Sequence, residues 1–164
     1  MSAPIPVVLC GASAQIATGV KNGLLPEIEG RLTVPPPFSA ISLTDGTLHL
    51  SVIHVILSAE AGAAEIPLLL EGNSLPASEN VGSQNYSRKP VAVVTGGGYD
   101  DARFKMMKDA CEGKGSVSWL RPDMGYPMPA LGPQYSAIMI ERVKKGIKEL
   151  VESEKLGEDG VFVY

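Results

Sequence analysis

The sequence IPVVLCGAS, residues 5–13, decides the fold class of this chain. The run from Ile5 to Cys10 is short, apolar and rich in β-branched side chains, which predicts a strand buried on both faces. Gly11 ends the run, and Ser13 is a suitable N-cap for a helix that extends to about Leu25. These residues therefore predict a strand–turn–helix unit at the start of an α/β domain.

The same unit recurs along the rest of the chain. Further strands are predicted at Val52–Leu57, Pro90–Thr95 and Ser116–Leu120, with a short fifth strand at Val161–Tyr164. Helices follow the strands, and the second of them is expected to break at Pro67. Strands that lack polar alternation and are separated by helices predict a mainly parallel sheet covered on both faces.

Right-handed crossovers would then give a three-layer, doubly wound α/β domain of the Rossmann-like type, with four or five strands. The strand order 2-1-3-4(-5) is expected, and the Rossmann half order 3-2-1-4 is the alternative. The chain has 164 residues, of which 45% are hydrophobic, and this length fits a single domain spanning 1–164.

Composition excludes several classes of partner. The formal net charge is −4, which argues against nucleic-acid binding. No apolar run approaches the length of a membrane span, so no membrane partner is expected. The N-terminus lacks a basic region and a long apolar stretch, which predicts a cytoplasmic protein. The cysteines, Cys10 and Cys111, are expected to be buried and reduced, and no spacing suggests a metal site.

Residues 30–51 do not fit the repeating pattern. They carry two full charges, Arg31 and Asp45, and contain Pro35-Pro36-Pro37. A connection between a helix and the next strand normally takes about 2–6 residues. The segment is therefore interpreted as an insertion or a disordered loop, and a functional lid or a translated intron would leave the same pattern.

In parallel sheets, ligands bind beyond the carboxyl ends of the strands, where the strand order reverses. Two loops at that edge lead into helix N-termini, which favour anions. Glycines there permit a close approach of ligand to backbone. The candidate cofactor-binding residues are Gly11, Ala12, Ser13, Ser58, Thr95, Gly96, Gly97 and Gly98.

Arg121 and Asp123, just past the fourth strand, are candidate substrate-binding residues, because an arginine can hold a carboxylate or a phosphate. The alternatives to binding roles are structural. Asp100 would cap a tight turn after the three glycines, and Arg121 would pair with Asp123 to pin the following loop. His54, inside the second strand, is expected to be a hydrogen-bonded core histidine.

The stretch Val7–Ile16 resembles the opening of NAD(P)-binding Rossmann proteins, most closely the atypical short-chain dehydrogenases and the NmrA-like group. Those proteins have a strand, then Gly-Ala-Ser/Thr-Gly-x-Ile-Gly, then a helix. The resemblance implies a cofactor, NAD or NADP. Ala14 and Ala17 stand where the family has glycines. The family's Tyr-x-x-x-Lys pair is missing, since Met139 follows Tyr135 at that spacing, so no catalytic residue is assigned.

Three functions remain open at this stage. The first is a small nucleotide- or dinucleotide-binding protein related to oxidoreductases. The second is a non-enzymatic binding or assembly module on the same fold, with a homo-oligomer as one form. The third is a small hydrolase or isomerase that would use Ser13, Cys10 or Asp123.

Overall fold

Five strands and four helices alternate along the chain. A computed structural model describes residues 3–24, 49–132 and 134–164. The elements are β1 (Ile5–Cys10), α1 (Ala14–Leu24), β2 (Leu50–Ile56), α2 (Ala59–Leu70), β3 (Ala92–Thr95), α3 (Asp101–Ala110), β4 (Ser118–Arg121), α4 (Tyr135–Glu152) and β5 (Gly160–Val163). Among these helices, none combines the length and apolarity that a membrane crossing requires.

The strands form one sheet in the order β2-β1-β3-β4-β5, and every neighbouring pair is parallel. Val7 of the interior strand β1 lies between Val52 of β2 and Ala92 of β3. The predicted fold class, the preferred strand order and the fifth strand are therefore confirmed. All six residues of β1 are buried, as its uninterrupted apolar sequence requires.

Each face of the sheet is covered by two helices. On the first face, α1 and α4 pack against strand residues such as Val7 and Val94. On the second face, α2 and α3 pack against residues such as Val8 and Val93. The single tryptophan, Trp119, lies on the second face, where its ring meets Phe104 edge-on at 5.4 Å between centroids.

The fourth crossover differs in hand from the other three. The β3–α3–β4 and β4–α4–β5 connections move in the same direction across the sheet, but α3 and α4 lie on opposite faces. The first three connections share the right-handed form that parallel βαβ units almost always take, and the fourth is left-handed. The prediction of right-handed crossovers is wrong here. The position of α4 gives the first face of the sheet a second helix, since without α4 only α1 would cover that face.

The insertion predicted at 30–51 is too long at its C-terminal end. Leu50 and Ser51 form the start of β2, where Leu50 is fully buried and pairs with Ile5. Residues 30–48 lie outside the described residues, so the rest of that prediction stands as a prediction.

The expected break at Pro67 is also wrong. Helix α2 runs through Pro67 to Leu70, although proline removes one helical hydrogen bond. Ile66, Leu69 and Leu70 are buried against the second face, and Pro67 is itself buried. Burial of this apolar cluster compensates for the missing bond and carries the helix through one further turn.

The outer edge of β2 is closed by residues 78–86, here called the edge segment. The backbone N–H of Ser83 donates to the carbonyl oxygen of Val52 at 2.9 Å, and that of Gln84 donates to Ile53 at 3.0 Å. The segment thus continues the hydrogen bonding of the sheet by one further row, although its residues do not form a regular strand.

Asn80 completes this edge with its side chain. Its Oδ1 accepts from the N–H of Val55 at 2.9 Å, and its Nδ2 donates to the carbonyl of Val55 at 2.7 Å. The same Oδ1 accepts from the N–H of Gly82 at 2.9 Å. A side-chain amide therefore takes the place of a backbone amide on the neighbouring strand.

His54 is buried and hydrogen-bonded on both ring nitrogens, as predicted. Its Nδ1 lies 2.8 Å from the hydroxyl of Tyr86, and its Nε2 lies 2.7 Å from Oε2 of Glu65. The imidazole ties the edge segment to helix α2 through strand β2. This arrangement serves the closure of the edge.

The opposite edge, β5, has no such cover in the described part of the chain. The N–H of Tyr164 donates to the carbonyl of Arg121 at 2.9 Å, and its carbonyl accepts from the N–H of Asp123 at 2.8 Å. Alternate residues of β5 therefore bond to the β4 side, and Val161 and Val163 direct their backbone groups outward. Their side chains are 46% and 60% exposed, because the left-handed crossover places no helix over this part of the second face.

Candidate functional site

The strand order reverses between β1 and β3, and two glycine-containing loops leave the sheet at this point. Gly11–Ser13 follows β1 and leads into α1, while Gly96–Asp100 follows β3 and leads into α3. This is the position at which open parallel sheets bind ligands. The structure thus brings together six of the eight predicted cofactor-binding residues, namely Gly11, Ala12, Ser13, Gly96, Gly97 and Gly98.

The two loops touch each other across the crevice. The N–H of Gly96 donates to the carbonyl of Cys10 at 2.9 Å. A Cβ added at Gly98 would lie 2.7 Å from the Cβ of Ala12, and one added at Gly11 would lie 3.0 Å from the Cβ of Ala17. A Cβ would therefore clash with Ala12 at Gly98 and would be a tight fit against Ala17 at Gly11.

Four backbone N–H groups at this crevice have no acceptor among the described residues. They belong to Ala12, Ser13, Gly97 and Gly98. Ala12, Gly97 and Gly98 are exposed, and Ser13 is half-buried. Such groups beside two helix N-termini are suited to holding an anion.

The neighbouring carboxylates are already engaged. Asp100 caps α3, since its side chain accepts from the N–H of Arg103 at 2.8 Å. Asp101 accepts from the guanidinium of Arg121 at 2.7 Å. The ion pair with Arg121 offsets much of the repulsion that this acidic pair would exert on a nearby phosphate.

Thr95 and Ser58 have structural partners. Thr95 is fully buried, and its hydroxyl donates to the carbonyl of Leu120 at 3.1 Å. Ser58 is exposed at the end of β2 and caps α2 by accepting from the N–H of Ala61 at 3.1 Å. Both hydroxyls are thus occupied, unlike the amides at the crevice.

The side chains of Arg121 and Asp123 lie in different surroundings. The guanidinium of Arg121 lies 4.3 Å from the ring centroid of Phe104 on the second face, so it pairs with Asp101 and not with Asp123. Asp123 accepts from the N–H of Gly125 at 2.8 Å and lines a cleft beside α4. The structure does not bring this predicted pair together.

A small cavity lies under the two loops on the first face. Its volume is about 40 Å³, and its lining includes Gly11, Gly96, Tyr135 and Met139. A space of this size holds a few water molecules and no organic ligand. A ligand at this edge would therefore lie across the loops, above the cavity.

Met128 covers the crevice from above. A Cβ added at Gly97 would lie 2.7 Å from its Cε methyl and 3.9 Å from the hydroxyl of Tyr135. Burial raises the pKa of the Tyr135 hydroxyl, and the nearby charge of Arg142 lowers it by a smaller amount. Burial likewise raises the pKa of Tyr164, whose hydroxyl donates to the carbonyl of Thr95 at 2.8 Å.

Sequence analysis missed Arg142, which lies between this crevice and the cleft lined by Asp123. A signal was present in the sequence. Arg142 is three residues after Met139 and next to Val143, so a charged side chain interrupts the apolar stripe of the last helix.

The two thiols are unsuited to nucleophilic chemistry. Cys10 and Cys111 are free and buried, as predicted. Burial raises the pKa of Cys10 far above its ordinary value and that of Cys111 to about 11. The thiolate, which is the reactive form, is therefore scarce at neutral pH. Within the described ranges, no three His, Cys, Asp or Glu side chains are grouped to hold a metal.

The chain is similar to one curated protein, "Kojic acid related protein 6" of Aspergillus oryzae. The two sequences are 28% identical over 163 residues, which cover 97% of this chain and 86% of the relative. The similarity thus extends over the whole domain and both glycine loops. No protein-family model matches the chain, and no solved structure matches it.

Proposed function

We propose that this protein binds a nucleotide, with NAD or NADP as the first choice, across the loops Gly11–Ser13 and Gly96–Gly98. The observation that carries the proposal is the set of four backbone N–H groups without acceptors among the described residues, on both sides of the switch point. A pyrophosphate bridging the crevice would accept from both loops at once.

Electrostatics support an anionic ligand here. Helices α1 and α3 both begin at this crevice, so their positive ends add to the field of the amides. Asp101 is paired with Arg121, Asp100 is engaged in the cap of α3, and the guanidinium of Arg103 adds a positive charge where it donates to the carbonyl of Gly98. Binding requires close approach to backbone, which the absence of side chains at Gly97 and Gly98 allows.

The name of this relative associates that protein with kojic acid. We therefore include kojic acid among the ligands to be tested with this chain. Binding of kojic acid without any nucleotide would replace the nucleotide proposal by one for a small uncharged ligand.

Thermal unfolding in the presence of single ligands tests the proposal. The panel is NAD, NADP, their reduced forms, FMN, ATP, coenzyme A and kojic acid. A ligand present at about 100 times its Kd adds about 2.7 kcal/mol, which raises the Tm by about 5–10 °C for a domain of this size. A shift with one nucleotide supports the proposal, and no shift with any nucleotide contradicts it.

Two variants locate the site. In Gly97→Val, the new side chain displaces only the flexible methyl of Met128, so the protein folds but the amide edge is obstructed. The matched control is Leu68→Val, because Leu68 is exposed on α2, outside both loops and outside the segment that carries Met128. Loss of the ligand-induced shift in Gly97→Val alone places the ligand on this loop, and equal shifts in both variants contradict that location.

A second candidate function is that of a non-enzymatic assembly module. It is favoured by exposed apolar side chains at the same end of the molecule, since Met124, Tyr126 and Leu131 are 70%, 66% and 78% exposed. Together with the open β5 edge, they form apolar surface of the kind found at protein contacts. Sedimentation analysis across a concentration series tests whether the chain forms a homo-oligomer, which is one form that such a module can take.

A further inference from the structure

Arg142 is a half-buried cation without a counter-ion in the described part of the chain. Its Nη2 donates to the carbonyl of Pro127 at 3.2 Å. Its Nη1 is buried and has no hydrogen-bond partner among the described residues. Buried donors are nearly always satisfied, and a buried charge normally has a partner, so one donor of this guanidinium lacks an acceptor among the described residues.

The surrounding carboxylates do not fill that role. Arg142, Lys145, Asp123 and Glu149 line one cleft of about 290 Å³ between α4 and the end of β5. Asp123 holds the N–H of Gly125, and Glu149 lies 3.9 Å from Lys145. The cleft has room for a phosphate or carboxylate group beside Arg142.

The residues that restrain Arg142 also cover the proposed nucleotide site. Pro127 and Met128 are consecutive in the covering segment, residues 122–132. Pro127 holds the guanidinium, while the methyl of Met128 occupies the space above Gly97. The segment exposes Met124 and Leu131, and it contains no helix or strand after Arg121. A single displacement of this segment would free the guanidinium of Arg142 and uncover Gly97.

We infer that Arg142 binds the oxyanion of the ligand, a phosphate or a carboxylate, when the covering segment lifts from the crevice. The inference rests on the proposed function and adds to it a second cation beside Arg103, whose guanidinium donates to the carbonyl of Gly98 at 3.1 Å. A guanidinium presents paired N–H donors that match the geometry of either oxyanion. The covering segment then acts as a lid whose carbonyl holds the arginine until the ligand replaces it.

Calorimetric titration of the full chain tests the inference. The probes are NADP, inorganic pyrophosphate and citrate, and the proteins are wild type, Arg142→Gln and the matched control Lys145→Gln. Lys145 lies in the same cleft but is well exposed, so its loss alters the local charge without removing the buried donor. We expect Arg142→Gln to weaken binding by about 10- to 100-fold and Lys145→Gln by less than about threefold.

The outcomes separate this inference from the nucleotide proposal. If NADP binds wild type and Arg142→Gln equally well, the role of Arg142 is overturned and the proposed function stands. If pyrophosphate binds through Arg142 but no nucleotide does, the role of Arg142 stands and the nucleotide proposal fails. Preference for citrate over pyrophosphate identifies a carboxylate ligand. No binding of any probe overturns both.

Two further variants keep the inference testable even if Arg142→Gln does not fold. Arg142→Lys keeps the charge but loses the paired donors, so it should recover part of the affinity if Arg142→Gln is folded and weak. Met128→Ala removes the methyl above Gly97 and should strengthen pyrophosphate binding by about threefold to tenfold, because less contact must be broken. Unchanged affinity in Met128→Ala contradicts the lid.

Discussion

At the β2 edge, the edge segment bonds to the strand through backbone amides, the side-chain amide of Asn80 and the hydroxyl of Tyr86, which meets buried His54. At the β5 edge, two valines face outward with nothing opposite them in the described part of the chain. Both edges belong to the same parallel sheet. The difference shows that an edge can be closed without a further strand, by polar side chains that copy the geometry of a backbone.

This contrast predicts that substitutions at the β2 edge affect stability and that those at the β5 edge affect surface properties. The free energy of unfolding can be measured by denaturant titration, with Trp119 fluorescence as the signal, because this tryptophan is buried at 1% exposure.

The largest effect is expected for Gly82→Ala. A Cβ at Gly82 would lie 2.7 Å from both the Cα of His54 and the carbonyl oxygen of Ile53, and backbone atoms of a central part of β2 cannot move aside. We expect a loss of about 3 kcal/mol, because the edge segment must separate from the sheet. Gly132→Ala, in open space, should change stability by less than about 0.5 kcal/mol. Equal free energies of unfolding in the two variants would mean that the edge segment does not pack closely against β2.

Asn80→Ala should cost about 2 kcal/mol, because it leaves both backbone groups of Val55 and the N–H of Gly82 without their partner. The control is Asn73→Ala in the same polar region, because Asn73 is exposed and bonds to other described residues through its backbone and not its side chain. A loss in Asn80→Ala no larger than in the control would refute side-chain closure of the edge.

Tyr86→Phe should cost about 1 kcal/mol, since it keeps the ring but removes the hydroxyl from Nδ1 of buried His54. Tyr126→Phe is the matched control, because Tyr126 is 66% exposed. We expect no measurable change there. If Tyr86→Phe leaves the free energy of unfolding unchanged, a water molecule takes the place of the hydroxyl.

The same pair of variants gives a prediction for alkaline pH. Burial, followed by the charge of Glu65, raises the pKa of the Tyr86 hydroxyl above its ordinary value. The folded state therefore keeps this proton more strongly than the unfolded state, so the contribution is complete below about pH 10 and is lost as pH rises above it. Stability should fall less steeply with alkaline pH in Tyr86→Phe than in Tyr126→Phe, and parallel curves would contradict this.

The smallest effect on stability is expected at the β5 edge. Val163→Lys places a charge on an exposed edge position and should change the free energy of unfolding by less than about 0.5 kcal/mol. If the wild-type chain self-associates in sedimentation, the variant should do so more weakly. A loss of more than about 1 kcal/mol in a monomeric sample would show that this edge is covered.

The sheet was predictable from sequence because its strands are short apolar runs that end at glycine or at a change to polar residues. Alternation with helices predicted a parallel sheet, but it left the order β2-β1-β3-β4-β5 as the preferred one beside the Rossmann half order 3-2-1-4. The glycines of the crevice were predictable for the same reason, since they follow β1 and β3 directly.

The parts that could not be predicted depend on contacts between distant residues. Residues 72–89 have the composition of a polar loop, and nothing local shows that Asn80 meets Val55. The partner of Arg121 was expected two residues away, at Asp123, but is Asp101 on the neighbouring helix. The helix through Pro67 and the left-handed crossover likewise depend on which surfaces remain to be covered.

The pairing of α1 with α4 has a consequence for synthesis of the chain. The second face of the sheet is assembled from consecutive elements, so α2 and α3 are available for packing as soon as α3 leaves the ribosome. The first face joins the first helix to the last one. Until α4 is synthesised, α1 is the single helix on this face, and the half-finished domain exposes apolar strand surface to chaperones and to other nascent chains.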